Sequence, residues 1–280
     1  MKNKTSRYYL FFALPTVVAF LVAFAIPFLL GVYLSFCEFT TVNDSVFVGI
    51  ENYIKAFSNK DFLNALSFTL RFTAVSVVTV NLVAFALALL LTSKVKATNI
   101  FRTVFFMPNL IGGIVLGYIW QLIINGILQY FNLTITYDAK YGFLGLVLLF
   151  NWQTIGYMMI IYIAGLQNIP HDLIDAAKVD GAGGFGILRH VIIPMVMPAI
   201  TICLFLTITN SFKLFDANLA LTDGAPSKQS AMLPLDIYKT FYATIGSQGI
   251  GQAKAVIFFL LLAIIALIQL KLTSKKEVQV

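Results

Sequence analysis

Charged residues are scarce in this sequence of 280 amino acids, where Asp, Glu, Lys and Arg together make up 11%. In an ordinary soluble domain about a quarter of the residues are charged. Hydrophobic residues make up 59%, Phe alone contributes 26 residues, and the mean hydropathy is +0.88. A soluble fold of this length could not enclose so much apolar surface. The composition therefore predicts a protein embedded in lipid.

Acidic residues are fewer than basic ones, 12 against 19, which gives a formal net charge of +7. In a soluble protein this excess would suggest nucleic acid as a partner. No basic stretch here, however, is interleaved with aromatic residues that could stack on bases. In a membrane protein, a basic excess is first interpreted as loops that face the cytoplasm. We therefore expect a lipid bilayer and no nucleic acid among the partners.

The sequence is also poor in residues that carry chemistry. The two cysteines, Cys37 and Cys203, lack the spacing of metal ligands, and we expect both to be reduced. The two histidines, His171 and His190, fall in one loop, and no Ser/His/Asp or Cys/His arrangement is present. A phosphate-binding loop of the Gly-x4-Gly-Lys-Ser/Thr type is absent as well. We therefore expect no catalytic residue, no metal site and no cofactor bound by this chain.

Long apolar runs are what the sequence does contain, and about 20 mainly apolar residues are enough for a helix to cross the hydrocarbon core. The predicted spans cover residues 10–36, 66–91, 104–124, 143–166, 195–212 and 255–270. The first run is too long for a secretory signal and lacks a small-residue cleavage site. The sequence therefore predicts an all-α, polytopic membrane protein with a single transmembrane domain over residues 1–280.

The distribution of Lys and Arg predicts the orientation of the chain. An even number of spans places both termini on one side, and eleven of the 19 basic residues fall on that side. Because basic loops are retained in the cytoplasm, we expect the N-terminus and the C-terminus to be cytoplasmic. The loop of residues 167–194 is then cytoplasmic too.

The central turns of the predicted spans contain no ionisable side chain. A proton-coupled or ion-coupled carrier usually keeps such a group near the bilayer midplane, where burying it is costly. Coupling to Na⁺ through backbone carbonyl groups would still be compatible with the sequence. A secondary carrier or channel for a small polar solute therefore stays open as an alternative function.

The loop of residues 167–194 has an unusual composition. Apolar residues after Pro170 follow the spacing of one face of a short amphipathic helix. Gly181 and the glycines that follow it would end that helix, and a second short helix is expected to stop at Pro194. On the residues alone, the first helix suits a position on the lipid surface as well as a groove in another protein.

A pattern in this loop resembles the EAA loop of the permease subunits of bacterial ABC importers. The pattern consists of an acidic residue, two alanines, a glycine after three further residues, and a more distant proline. Its members here, with the associated Asp-Gly-Ala, are Asp175, Ala176, Ala177, Asp180, Gly181, Ala182 and Pro194. In that family the loop inserts into a cleft of the ATPase, so the resemblance implies that these residues couple the chain to an ATPase. Asp175 stands where Glu is typical.

Other segments resemble the carbohydrate-uptake class of these importers, which includes maltose, glycerol 3-phosphate and multiple-sugar types, and in particular its first permease subunit. The segments are residues 47–53, similar to Phe-x-Gly-Leu-x-Asn-Tyr, residues 105–108 with Trp120, and residues 221–226, similar to Leu-Thr-x-Gly-Gly-Pro. Ala225 departs from the second glycine of the last motif. The resemblance implies the type I ABC importer permease fold, with six transmembrane helices and a cytoplasmic EAA coupling loop.

The function implied by the resemblance is that of a membrane-spanning permease subunit of an ATP-driven sugar importer in the bacterial inner membrane. The chain would form half of the translocation pathway and catalyse no bond chemistry itself. The implied partners are a second homologous permease subunit, two cytoplasmic ATPase subunits that bind ATP and Mg²⁺, and an extracytoplasmic sugar-binding protein.

Polar residues recur at helical spacing in the fourth and fifth predicted spans. They are Gln153, Thr154 and Tyr157 in the fourth, and Thr207, Asn210 and Ser211 in the fifth. Amide and hydroxyl groups beside aromatic rings suit a sugar, but the same groups also join helices within membranes. On the residues alone we favour helix association for any one of them. The family resemblance, in which these two helices line the path, makes a substrate pathway an equal alternative.

Overall fold

The computed structural model describes residues 12–92 and 98–275, and within these ranges the protein is almost entirely helical. The helices are α1 (Phe12–Leu34), α2 (Glu51–Ser58), α3 (Lys60–Thr92), α4 (Thr98–Phe106), α5 (Gly113–Leu128), α6 (Ala139–Gln167), α7 (His171–Val179), α8 (Gly184–Met195), α9 (Met197–Phe212), α10 (Asp216–Leu221), α11 (Leu233–Ala243) and α12 (Gln248–Ser274). Two short strands, β1 (Cys37–Glu38) and β2 (Val46–Phe47), pair antiparallel.

Five helices of the described chain are long and apolar enough to cross a membrane. They are Phe12–Leu34, Lys60–Thr92, Gly113–Phe131, Ala139–Gln167 and Gln248–Ser274. A sixth span results if α8 and α9, which meet at a bend of 70°, are taken together. The first two residues of the first predicted span, 10 and 11, lie outside the described residues.

The third predicted span, 104–124, corresponds to two helices in the structure and not to one. α4 ends at Phe106, a single 3-10 turn covers Met107–Leu110, and α5 begins only at Gly113. The break follows from the sequence, because Pro108 lacks a backbone N–H and Gly112 has an extended backbone. The long apolar helix of this region is therefore displaced toward the C-terminus relative to the prediction.

The second short helix of the coupling loop was expected to stop at Pro194, and it ends one residue later, at Met195. A π-helical turn over Leu188–Ile192 lies directly before the proline, and α8 continues to Met195. In a π-helical turn the hydrogen bonds skip one residue further than in an α-helix. The chain bends at Val196 instead, between α8 and α9.

The chain divides into two compact units, of which the larger holds the described residues of Asp61–Asp236 and Leu260–Val280. Its hydrophobic core is built around α6, whose inward side chains include Leu149, Phe150 and Met158. Phe150 packs edge-on against Phe72 of α3, with ring centroids 5.5 Å apart. A helix surrounded in this way is apolar on most of its circumference, as expected for a span inside a bundle.

Glycines allow other helices to approach α6 closely. A Cβ atom at Gly156 would overlap the backbone carbonyl of Phe105 in α4, and a Cβ at Gly165 would lie 2.7 Å from the Cβ of Ala199 in α9. Small residues at such contacts let backbones pack in lipid, where no hydrophobic effect drives helices together. Gly156 therefore sets the distance between α6 and the end of α4.

The smaller unit consists of the described residues of Met1–Lys60 and of Ile237–Phe259. This unit shows the structural role of the motif of residues 47–53. The Asn52 Nδ2 atom donates hydrogen bonds to the carbonyls of Ser35 at 3.1 Å and Cys37 at 2.9 Å, and the Tyr53 hydroxyl lies 2.6 Å from Ser35 Oγ. Gly49 adopts φ +65°, which favours glycine. The motif thus joins the end of α1 to α2.

Gly156→Ala should destabilise the protein by about 1–3 kcal/mol, because the added methyl group collides with a backbone carbonyl that cannot rotate away. The measurement is thermal unfolding of the purified protein in detergent. Gly126→Ala in α5 is the matched control, since a Cβ at Gly126 meets nothing within 4 Å. Equal melting temperatures for the two variants would contradict the close approach of α4 to α6.

Candidate functional site

The predicted coupling segment begins with α7, a helix of nine residues. Its first residue is His171, and Pro170 lies directly before it with an extended backbone. A short helix therefore follows the last turn of α6 almost immediately, and the two are separated by only a few residues.

The C-terminal end of α7 is closed by a left-handed glycine. Gly181 has φ +79°, a conformation that glycine adopts without the steric cost other residues incur. The N–H of Ala182 donates to the Ala177 carbonyl at 3.0 Å, and the N–H of Asp180 donates to the Ala176 carbonyl at 2.9 Å. These bonds satisfy carbonyls that a helix end leaves without partners. Five of the predicted coupling residues therefore form one capped turn.

The far end of this turn exposes apolar side chains. Val179 is 87% exposed and Phe185 is 74% exposed, and they lie on either side of the glycines. Isolated exposed apolar residues are ordinary, but two of them beside an open, glycine-rich turn favour contact with another surface. The sequence interpretation assigned no contact role to either side chain. Their exposure depends on the tertiary structure and carries no sequence signal.

The opposite side of α7 rests on the bundle. His171 and Ile174 line a cavity of about 450 Å³ together with side chains from the ends of α3 and α6 and from α8. These further lining residues are Leu89, Thr92, Leu166, Gln167, Ile169 and Ile192. A displacement of α7 would therefore change a cavity that the ends of two long helices also line.

The carboxylate of Asp175 is paired within its own helix. Its Oδ1 atom accepts a hydrogen bond from Lys178 Nζ at 2.8 Å, and both side chains are exposed. Lys178 holds the pKa of Asp175 below its ordinary value, so the side chain is negatively charged at neutral pH. An exposed pair of this kind contributes little to stability. A basic group on another protein could therefore replace Lys178 at small cost.

Three of the six predicted pathway residues share one cavity. Gln153, Thr154 and Asn210 line a space of about 400 Å³ between α6, the end of α9 and the break in the third span. The other lining residues are Asn109, Gly113, Phe150, Lys213, Leu214, Phe215, Asp216 and Ala217. Gln153 Nε2 donates to the carbonyl of Ile111 at 3.1 Å and so satisfies one backbone group of the break.

The chemistry of this cavity is polar and close to neutral. Amide and hydroxyl groups come from Gln153, Thr154 and Asn210, while Lys213 and Asp216 add one side chain of each charge. Donors and acceptors are thus both present, as a polyhydroxylated ligand requires. The aromatic ring of Phe215 provides an apolar face beside them. The cavity has the groups to bind a neutral, hydroxyl-rich molecule.

The other three predicted pathway residues do not line the cavity. Thr207 is buried, donates to the Cys203 carbonyl at 2.7 Å and lies 3.3 Å from Asn81 Nδ2. Ser211 donates to Thr73 Oγ1 at 3.2 Å. Two helices, α3 and α9, are thus joined by side-chain hydrogen bonds. For Thr207 and Ser211 the structure favours the helix-association interpretation.

Tyr157 packs against an aromatic ring and not against the cavity. Its ring centroid is 6.4 Å from that of Phe106, at the end of α4. The sequence interpretation missed a neighbouring polar contact, in which the hydroxyl of Tyr162 donates to Asn81 Oδ1 at 2.7 Å. Asn81 is the only amide side chain in the predicted span 66–91, and an amide in lipid requires a partner. This single amide was the sequence signal that could have indicated the contact.

Comparison with known proteins places the chain in a family. Residues 84–277 match the family model described as "Binding-protein-dependent transport system inner membrane component". The match covers more than half of the chain and includes the entire coupling segment and the cavity residues described above.

Full-length relatives agree with this match. The chain is 42% identical, over 99% of its length and 97% of the other protein, to the probable starch degradation products transport system permease protein AmyD of Thermoanaerobacterium thermosulfurigenes. It is 32% identical, over 89% of its length and 82% of the other, to the trehalose transport system permease protein SugA of Mycobacterium tuberculosis. With the arabinooligosaccharides transport system permease protein AraP of Bacillus subtilis it shares 31% identity, over 97% and 90%.

Solved structures show the same fold. A chain in the crystal structure of a bacterial ABC transporter involved in the import of the acidic polysaccharide alginate matches with a TM-score of 0.80 and 18% identity, over 96% of each chain. A chain of the MetNI methionine ABC transporter matches with a TM-score of 0.55 and 17% identity, over 77% of this chain and 96% of that one. The chain therefore has the type I ABC importer permease fold and belongs to the family of binding-protein-dependent transport system inner membrane components, as a multi-pass permease subunit and not an enzyme.

Proposed function

We propose that this chain forms half of the translocation pathway of an ATP-driven sugar importer. The observation that carries the proposal is the polar cavity lined by Gln153, Thr154 and Asn210, whose groups suit a neutral polyhydroxylated substrate. The names of the relatives support it, since they refer to starch degradation products, trehalose and arabinooligosaccharides. Membership of a binding-protein-dependent transport family weighs against the alternative of a secondary carrier or channel.

The cargo is proposed to be a sugar and not a polyol phosphate. Recognition of a phosphate usually requires clustered cationic groups or a helix N-terminus aimed at it. In the cavity, Lys213 is accompanied by the carboxylate of Asp216, so no excess positive charge is available for a phosphate. Neutral oligosaccharides, in contrast, need only the mixed donors and acceptors that the cavity provides.

The proposed partners follow from the family to which the chain belongs. The pathway requires a second homologous permease subunit, and transport is proposed to be driven by two cytoplasmic ATPase subunits that bind ATP and Mg²⁺. An extracytoplasmic sugar-binding protein would deliver the substrate. The family name specifies dependence on a binding protein. One structure with a similar fold is that of a bacterial alginate ABC transporter in complex with an alginate pentasaccharide-bound periplasmic protein.

Coupling is proposed to start at α7, on the cytoplasmic side of the membrane with both termini. The exposed side chains of Val179 and Phe185 would enter an apolar cleft of the ATPase, and Asp175 would exchange Lys178 for a basic group there. Because Ile174 packs against the hydrophobic core and lines a cavity together with the ends of α3 and α6, a movement of the ATPase would shift these helices as a rigid group. α8 and the bend at Val196 would transmit the same movement to α9 and Asn210.

Asn210→Leu should lower sugar uptake by about tenfold or more, because a cavity amide that binds substrate hydroxyls is lost. Ser211→Ala, one residue away, should leave uptake close to that of the wild type and cost about 0.6 kcal/mol of stability through the lost bond to Thr73. Uptake of labelled oligosaccharide is measured per assembled complex. Loss of assembly in Asn210→Leu, with normal uptake by the complexes that form, would instead assign Asn210 to helix association.

Gly181→Leu should abolish coupled transport while the protein still inserts into the membrane. A leucine at φ +79° is strained by about 1 kcal/mol or more, and its bulk would stand in the proposed contact surface. Gly183→Leu tests bulk without backbone strain, because Gly183 has an ordinary φ and a Cβ there meets nothing within 4 Å. Substrate-stimulated ATP hydrolysis of the reconstituted complex is the measurement, and normal stimulation in Gly181→Leu would contradict the assignment.

Val179→Ser combined with Phe185→Ser should weaken recovery of the ATPase with the permease by about tenfold, since two exposed apolar anchors are lost from the interface. Membrane insertion and pairing with the second permease should be unaffected. Ile245→Ser is the control, because Ile245 is also highly exposed, at 91%, but lies outside the coupling segment. Unchanged ATPase recovery in the double variant would show that these side chains are not anchors.

A further inference from the structure

A groove of about 810 Å³ runs between α3 and the beginning of α6, and the proposed transport cycle makes no use of it. Its α3 side is formed by residues on one helix face: Asn64, Ser67, Phe68, Arg71, Ala74 and Val75. Its other side is formed by Ala139, Lys140, Phe143 and Leu144, with Gln229. Because α6 runs from this groove toward the coupling segment, the groove lies at the end of the bundle opposite α7.

The groove carries two positive charges and no carboxylate. Arg71 and Lys140 line it, and neither belongs to an ion pair within the described residues. The nearby carboxylates do not line the groove: Asp61 Oδ2 accepts a hydrogen bond from Lys228 Nζ at 2.8 Å, and Asp138 Oδ1 accepts one from the backbone N–H of Lys140 at 2.8 Å. The groove is therefore complementary to an anion.

Arg71 lies close enough to one membrane surface for its long side chain to reach the lipid headgroups. α3 has 33 residues and is about 50 Å long, whereas the hydrocarbon core is about 30 Å thick. A centred helix would extend about 10 Å beyond the core on each side. Arg71 lies about 16 Å from the first residue, so it starts about 6 Å inside the core and its long side chain can reach the headgroups.

The deeper part of the groove is apolar. Val75 lies one turn deeper than Arg71 in α3, and Phe143 lies one turn deeper than Lys140 in α6. Leu144 is 57% exposed and Val75 is 38% exposed. The polar side chains of Asn64 and Ser67 are nearer the end of the helix. The groove is thus polar and cationic at headgroup level and apolar below it.

We propose that this groove binds an anionic phospholipid of the leaflet opposite the coupling segment. The phosphate lies between the guanidinium of Arg71 and the ammonium of Lys140, and an acyl chain runs along Phe143, Leu144 and Val75. Charge-assisted hydrogen bonds from two cations favour an anionic headgroup over a zwitterionic one. The lipid would hold α3 against the beginning of α6.

Native mass spectrometry of the assembled complex tests this proposal, with phosphatidylglycerol and phosphatidylcholine of identical acyl chains added to the detergent-purified protein. The wild type should retain phosphatidylglycerol preferentially. Arg71→Gln combined with Lys140→Gln should lower that retention about tenfold. Lys55→Gln combined with Lys60→Gln is the matched control, because it removes two positive charges that do not line the groove. Equal retention of both lipids by the wild type, or unchanged retention in the groove variant, would overturn the proposal.

A second measurement distinguishes lipid from other occupants and does not depend on the charge variant. Leu144→Cys is labelled with a benzophenone in membranes, where the native Cys37 and Cys203 are buried and protected from the label. Photolysis should attach the label to phosphatidylglycerol. Attachment to the second permease subunit instead, or complete displacement of the lipid by free glycerol phosphate, would overturn the proposal.

Discussion

The break in the third span determines how the functional part of the molecule is arranged. In lipid, an interrupted helix leaves backbone groups that only the protein can satisfy. Here the side chain of Gln153 donates to the Ile111 carbonyl, and Gly156 lets the Phe105 carbonyl approach α6. Both contacts hold the broken segment against α6. The polar cavity exists because the chain departs from a regular helix at this place.

Polar side chains elsewhere in the larger unit are used to join spans. Asn81 in the middle of α3 contacts both Tyr162 of α6 and Thr207 of α9, and Thr73 contacts Ser211. Such bonds are individually worth little in membranes, yet together they fix the relative positions of three helices. The cavity groups and the joining groups lie on adjacent positions of the same helix, as Asn210 and Ser211 show.

Much of this arrangement was predictable from sequence, and the failures have physical causes. Length and hydropathy predicted a polytopic helical protein, and the glycine at 181 predicted the end of the coupling helix, because only local geometry is involved. The division of the polar stripes was not predictable, since helical spacing shows which residues share a face but not what that face meets. The displacement of the third span reflects a 3-10 turn, whose place Pro108 and Gly112 indicate but which apolar patterns do not register.

The bend at Val196 determines how a movement of the coupling segment would reach α9. α8 and α9 are connected without a flexible loop, yet their axes differ by 70°. A bend of this size changes the direction of a displacement, because a lateral movement of α8 becomes a tilt of α9. In the proposed coupling, this angle determines how far α9 tilts for a given displacement of α8. A substitution that straightened the bend would therefore leave the ATPase and the translocation pathway intact but no longer coupled to each other.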